Sequence, residues 1–292
     1  MSAAPPLIVI GMHRSGTTLL SQLLQRSGVF MGARQNRNAE ARFTNAINAW
    51  LFRQASASWD RPEGMADLLA DARSKPWLVD YMDGLVRGPA AVRFLGPRRA
   101  LRYRSMMAIA EPWGFKDPRT TYTLDYWLEL FPRAPIVHIL RHGADVAVSL
   151  ARRREGAVAA NLERYRRRRR LYLLRPDAPK HRGFAAQPRC RTLAGGFELW
   201  RQYVEHAHDH VVGAGERGLE IVYEDLLRAP ETEMARVLAL AGVDADPDVI
   251  AAAASGLDPA RAHAWRGDAQ ARALAAERAD ELARWGYGAE PA

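Results

Sequence analysis

Cysteine is all but missing from this chain: Cys190 is the only one in 292 residues, so neither an internal disulfide nor a cysteine-built zinc site can form. Long hydrophobic runs are missing too. Stretches such as Leu7–Ile10 and Val237–Val243 fall far short of a membrane span. The opening Met-Ser-Ala-Ala-Pro-Pro lacks the basic patch, apolar stretch and cleavage site of a secretory leader. No Gly-x-Ser-x-Gly elbow occurs, which leaves a serine hydrolase without its nucleophile turn. The expectation is a soluble, cytoplasmic protein without a transmembrane segment.

What is present looks globular, with 48% hydrophobic and 26% charged residues. The net charge of +9 hints at nucleic acid until it is located. Between residues 151 and 191, 14 Lys and Arg stand against 3 Asp and Glu, while the rest of the chain holds 28 and 30. The body is therefore nearly neutral. A mobile basic segment of about 151–191, including the five arginines Arg166–Arg170, carries the excess. Five neighbours on a helix cover every face, so they cannot all point into one groove. A flexible lid over an anionic ligand and a solvated helix are equally good readings of them. Nucleic acid is not expected as a partner, and anionic membrane is expected only as a weak peripheral contact.

Apolar, β-branched runs at 7–10 and 136–140, a short strand at 113–116 and another at 219–223 alternate with helical patterns. Helices are expected at 17–26, 39–56, 63–74, 76–87, 120–131 and 143–154, continuing through 155–172, and again at 194–212. A mobile loop is expected at 175–190 and Ala-rich helix in the tail. Without a repeat or a cutting linker, this is one α/β domain over 1–292, a parallel sheet flanked by helices, with ligands at the carboxyl ends of the strands.

The first strand runs into Gly11-Met-His-Arg-Ser-Gly-Thr-Thr18 and then a helix. Such a turn offers backbone amides and the positive end of a helix to an anion. Gly11, Gly16 and Thr18 match the spacing of the nucleotide-binding P-loop, but Thr17 stands where the phosphate-gripping lysine belongs, and Arg14 supplies charge instead. Arg141 at the end of a later strand and Ser149 two helical turns on could converge on one phosphate.

In this order, Arg14-Ser-Gly-Thr-Thr18, Lys116-Asp-Pro-Arg119, Arg141-x7-Ser149 and Tyr223-Glu-Asp-Leu226 resemble the sulfotransferase family, over some three quarters of the chain. The resemblance implies a P-loop NTPase-like sulfotransferase fold and 3′-phosphoadenosine 5′-phosphosulfate (PAPS) as co-substrate. It places Arg14, Ser15, Gly16, Thr17 and Thr18 at the 5′-phosphosulfate and Arg141 and Ser149 at the 3′-phosphate, and adds Tyr223 to the donor-binding residues. It implies Arg14 and Lys116 as the cations that stabilise the leaving phosphate, with no metal. The acceptor, a hydroxyl or amine of a small molecule or glycan, is left open.

Two departures from the pattern stand out. Cytosolic members have lysine at the position of Arg14, and they have a histidine base where Pro118 stands here. Other members take a glutamate soon after the first helix, and Glu40 is the only acid between the loop and Asp60. Glu40 is thus the candidate base, with Asp117 as fallback. The alternative function is a P-loop kinase or NTPase-like nucleotide-binding protein. Within Glu205–His210, His206 and His210 have the spacing of a zinc helix, yet a solvated helix face is the better reading. Of the aromatics Phe43, Trp50, Phe52 and Trp59, any could wall an acceptor pocket or simply pack the core.

Overall fold

The apolar, β-branched runs at 7–10 and 136–140 need cover on both faces, and the chain supplies it with helices on either side of a small sheet. The computed structural model describes residues 3–174, 184–244 and 246–288. Strands β1 (Leu7–Ile10), β2 (Gly114–Lys116), β3 (Ile136–Leu140) and β4 (Gly218–Val222) form one parallel sheet in the order β2-β1-β3-β4. Helices α1 (Thr17–Arg26), α2 (Arg42–Gln54), α3 (Gly64–Ala70), α4 (Lys75–Arg87) and α5 (Val92–Tyr103) lie between β1 and β2 in sequence. Helix α6 (Thr120–Leu130) joins β2 to β3, and α7 (Gly143–Leu174) and α8 (Leu193–Ala214) precede β4. The remainder is α9 (Tyr223–Arg228), α10 (Pro230–Leu240), α11 (Pro247–Ala254), α12 (Ala269–Glu277) and α13 (Ala279–Ala283).

The chain divides into two compact units, Met1–Arg141 with Tyr203–Ala262, and His142–Gln202 with His263–Ala292. The first holds the whole sheet. Alternate residues of β1 serve opposite cores. Leu7 and Val9 pack with Leu20, Leu23 and Leu24 of α1 and Met234, Val237 and Leu238 of α10. Ile8 and Ile10 pack with Ile47 and Leu51 of α2, Met82 of α4 and Trp127 of α6. Each fully buried Leu or Ile of this kind contributes roughly 1.5–3 kcal/mol. In the second unit, small residues let helices approach closely. A side chain at Gly143 would sit 2.6 Å from Phe197, and one at Gly196 would meet Ala147 at 3.3–3.5 Å.

Several boundaries differ from expectation for identifiable reasons. Helix α2 begins at Arg42, not 39, because Ala39 takes φ +54° within a tight turn closed by the Asn36 amide donating to the Glu40 carbonyl at 3.0 Å. Tyr223 opens α9 and does not close β4. Helix α5 was not expected from the sequence: Gly96 (φ +71°) and Pro97 interrupt its pattern, and the helix kinks there. Residues 143–174 form one helix, with the arginine run on its exposed end. Of the loop expected at 175–190, residues 175–183 lie outside the described residues, and Pro188–Arg191 forms a 3-10 turn that buries Cys190. No described helix is long and apolar enough to cross a membrane.

The β1–β2 pairing offers a test. A Cβ at Gly114 would sit 2.2 Å from the Leu7 carbonyl oxygen, which is backbone and cannot swing away. Gly114→Ala should lower stability by about 1–3 kcal/mol in urea denaturation, as overpacking does.

Candidate active site

The four strands point their carboxyl ends the same way, and each end carries a residue singled out in the sequence. Gly11 follows β1, Lys116 ends β2, Arg141 follows β3 and Tyr223 follows β4. That is where a doubly wound sheet leaves a crevice.

The β1–α1 loop is a bent, well-tied turn. Ser15 is buried, its Oγ donates to the Met12 carbonyl at 2.6 Å, and Thr17 is buried as the first residue of α1. Gly16 has φ +100°, and a Cβ there would lie 2.4 Å from the Tyr223 ring, so both conformation and contact require glycine. Arg14 also lies in the left-handed region, at φ +75°. The Gly11 amide donates to Thr121 Oγ1 at 3.1 Å, which ties the loop to α6. Helix α1 starts without a capping side chain at Gly16.

Arg141 stacks over the Tyr223 ring, its Cζ 4.4 Å from the ring centre, and donates to the backbone carbonyls of Arg14 (3.3 Å) and Arg261 (3.1 Å). Partial enclosure, with help from the like charge of Arg141, lowers the proton affinity of the Arg14 guanidinium. The loop, Arg141 and Tyr223 thus come together in the first unit. Ser149 lies in α7, which belongs to the second.

Beside the loop lies a buried ionic cluster. Lys116 is only 1% exposed, and its Nζ donates to the Asn38 carbonyl at 2.5 Å and to Thr18 Oγ1 at 3.4 Å. It faces Glu40 Oε1 at 3.5 Å. Glu40 is 5% exposed, and its Oε2 accepts from Asn36 Nδ2 at 2.7 Å and Asn45 Nδ2 at 2.9 Å. Burial raises the Glu40 pKa above the usual glutamate range, and the nearby Asp117 charge raises it further, against the pull of Lys116. Burial likewise lowers the Lys116 pKa, against the pull of Glu40 and Asp117. Each member of the pair is pushed toward its neutral form, so a proton on Glu40 is held more tightly than on an exposed carboxylate.

Asp117 does a different job. Its Oδ1 accepts from the Arg119 backbone amide (3.0 Å) and Arg119 Nε (3.2 Å). Its Oδ2 accepts from Arg119 NH2 (2.9 Å), Asn48 Nδ2 (3.1 Å) and Asn45 Nδ2 (3.2 Å). Five donors on one carboxylate fix the Asp-Pro turn between β2 and α6.

Sequence reasoning passed over Asn36, Asn45, Asn48 and Arg119, although Asn45 and Asn48 sit three apart on the face of α2 that turns to α6. Asn48 is fully buried and uses its whole amide. Its Nδ2 donates to Asp117 and to Thr120 Oγ1 at 2.9 Å; its Oδ1 accepts from Thr123 Oγ1 at 2.9 Å and Trp127 Nε1 at 2.8 Å. The reading of Glu205–His210 as a solvated face also needs revision. His206 stacks on Tyr122 at 4.6 Å, and His210 Nε2 meets the Thr121 carbonyl at 3.1 Å, on the residue that anchors Gly11. Of the four aromatics, Phe43 and Phe52 are core and Trp50 packs on Tyr81; Trp59 packs edge-on against His13 of the loop at 4.6 Å.

Asn48→Leu keeps the branched shape, adds bulk, and removes four hydrogen bonds from this interior. The Trp127 N–H is left without its acceptor, so the variant should lose about 2–4 kcal/mol in chemical denaturation. An Asn48→Leu protein of unchanged stability would show that the network is not holding α2 to α6.

The family model described as "Sulfotransferase family" matches residues 5–247. Among solved structures, the chain is similar to the sulfotransferase domain of the Synechococcus PCC 7002 olefin synthase, with 18% identity, a TM-score of 0.52, and coverage of 100% of this chain and 98% of that one. It is also similar to a sulfotransferase from Alicyclobacillus acidocaldarius, with 16% identity, a TM-score of 0.45, and coverage of 99% and 98%. No curated protein matches the chain. The Synechococcus likeness supports the fold; the match over residues 5–247 places the chain in the sulfotransferase family.

Proposed function

We propose that this sulfotransferase takes its sulfuryl group from PAPS and delivers it to a hydroxyl or amine of a small-molecule or glycan acceptor, with Glu40 as general base. One observation carries the reading: a buried carboxylate of raised proton affinity lies 3.5 Å from a buried ammonium, beside a P-loop-like turn. The residues suit an anionic donor. Ser15, Gly16, Thr17 and Thr18 surround the uncapped start of α1, where backbone amides and the helix dipole favour an anion. Arg14 and Lys116 add positive charge. The family resemblance assigns Arg141 to the 3′-phosphate, and the Tyr223 ring packs against its guanidinium.

The donor, when bound, supplies a sulfur already activated by a phosphate leaving group. The chain's work is to align the acceptor, balance the charge that builds on the leaving oxygen, and remove a proton. Arg14 and Lys116 provide the charge balance. Glu40 accepts the acceptor's proton as its oxygen or nitrogen bonds to sulfur. Thr17, where a nucleotide-hydrolysing loop has lysine, leaves a γ-phosphate without its grip, which disfavours the kinase or NTPase alternative. We place the enzyme in the cytoplasm as a single functional domain spanning 1–292.

Two outcomes follow. With whichever acceptor from a panel of phenols, sugars and amines turns over, Glu40→Gln should slow the single-turnover step by about 10²–10⁴-fold. The wild-type kcat/KM should rise with pH through a limb above the ordinary glutamate pKa, because the base must be ionised and burial holds its proton, and Glu40→Gln should lose that limb. Full single-turnover rates in Glu40→Gln would move the base elsewhere, to Asp117 first. Separately, Arg141→Ala should weaken calorimetric binding of 3′-phosphoadenosine 5′-phosphate (PAP) far more than that of adenosine 5′-phosphosulfate. Equal weakening would take Arg141 away from the 3′-phosphate.

A further inference from the structure

Glu40 has two oxygens in unlike surroundings. Oε2 takes two amide hydrogens, from Asn36 at 2.7 Å and Asn45 at 2.9 Å, which uses both of its lone pairs. Oε1 faces Lys116 Nζ at 3.5 Å. The Asn45 amide nitrogen has a second hydrogen, and Asp117 Oδ2 lies 3.2 Å from it. One side-chain amide therefore bridges two buried carboxylates that would otherwise repel across the gap. The backbone of Asn45 is held as well, since its carbonyl accepts from Arg119 NH2 at 2.9 Å. Asn36 grips the same residue from the other side: its Oδ1 accepts from the Glu40 backbone amide at 3.2 Å and the Asn38 amide at 2.9 Å.

We propose that Asn45 is the positioning residue of the base: by filling Glu40 Oε2 and donating its second amide hydrogen to Asp117, it leaves Oε1 as the oxygen that takes the reacting proton. This rests on the reading of Glu40 as base. The charged groups around Glu40 are Lys116 from β2 and Asp117 and Arg119 from the turn that follows it. Lys116 and Arg119 favour the ionised carboxylate, and Asp117 opposes it. Burial opposes it more strongly still. Against the Asp117 charge Asn45 acts twice, donating to Glu40 and drawing that charge onto its own N–H. In the transfer step the acceptor's O–H or N–H bond breaks and its proton passes to Oε1. The freed pair forms the bond to sulfur, and the bond from sulfur to the donor's phosphate oxygen breaks with its pair left on that oxygen.

The test is a pH titration of the side-chain carboxyl of Glu40 by carbon-13 NMR in the ligand-free protein, the signal assigned by its loss in Glu40→Gln. Asn45→Ala should raise the Glu40 pKa by about 1 unit, since each donor to a carboxylate favours its ionised form by that order. The acid limb of kcat/KM should move up by the same amount, with the plateau above it retained. Asn45→Ser, which keeps one donor, should fall between, and it carries the comparison if Asn45→Ala does not fold. An unmoved Glu40 titration overturns the proposal, as does a lowered plateau with an unmoved limb, the signature of a structural role alone. A shifted titration together with full single-turnover rates in Glu40→Gln would uphold the clamp and sink the assignment of Glu40 as base, so the two failures are distinguishable.

Discussion

The constraint on which the site depends is the cost of keeping an ammonium group out of water. Lys116 is the last residue of β2, at the edge of the sheet yet fully buried, and a charge there is tolerated only if its surroundings answer it. The answer comes from the segment between α1 and α2. That segment turns back at Ala39, in a conformation alanine seldom adopts, and so brings the Asn38 carbonyl and the Glu40 carboxylate to the same ammonium. Thr18 donates to that carbonyl at 3.0 Å, which joins the start of α1 to the cluster. Removing one partner of such a pair costs about 3–5 kcal/mol, because the other is left buried and uncompensated. The loop conformation, the ion pair and the β1–α1 turn are therefore one arrangement.

Two electrostatic zones result. Around Arg14 and Arg141 the backbone is folded to present guanidinium groups beside the open turn, where an anion would be drawn. Around Lys116, Glu40, Asp117 and Arg119 the charges cancel in pairs, and asparagine amides donate to Glu40 Oε2 and Asp117 Oδ2. A zone that attracts an anion next to one that holds a proton is what an in-line group transfer to a protic acceptor asks of a protein.

Much of this was legible in the sequence, and the rest was hidden for physical reasons. Strands β1 and β3 announce themselves because continuous β-branched runs of that length fit a buried parallel strand. The turn at Gly11–Thr18 is readable because its glycines are required by backbone geometry, and Gly16 is fixed by the Tyr223 ring. Lys116 stands out through the resemblance of Lys116-Asp-Pro-Arg119 to a family motif, not through its local pattern. Asn36, Asn45 and Asn48 do not stand out. An asparagine on a helix reads as solvent-facing, and only the approach of α2 to α6 shows that Asn48 has four partners and no solvent. The start of α2 was misread by three residues for the same reason: the strained turn at Ala39 is sustained by Lys116, far away in sequence. His206 and His210 looked like surface residues until Tyr122 and Thr121 were placed beneath them.

The proposed donor is a nucleotide with a 3′-phosphate and a short 5′-chain, not a nucleoside triphosphate. Isothermal titration of the purified protein with PAP, and in parallel with ATP and GTP in the presence of magnesium, tests it most directly. Saturable PAP binding that needs no magnesium, with ATP and GTP much weaker, is the predicted result. Tighter, magnesium-dependent binding of ATP or GTP, with PAP failing to compete, would contradict it.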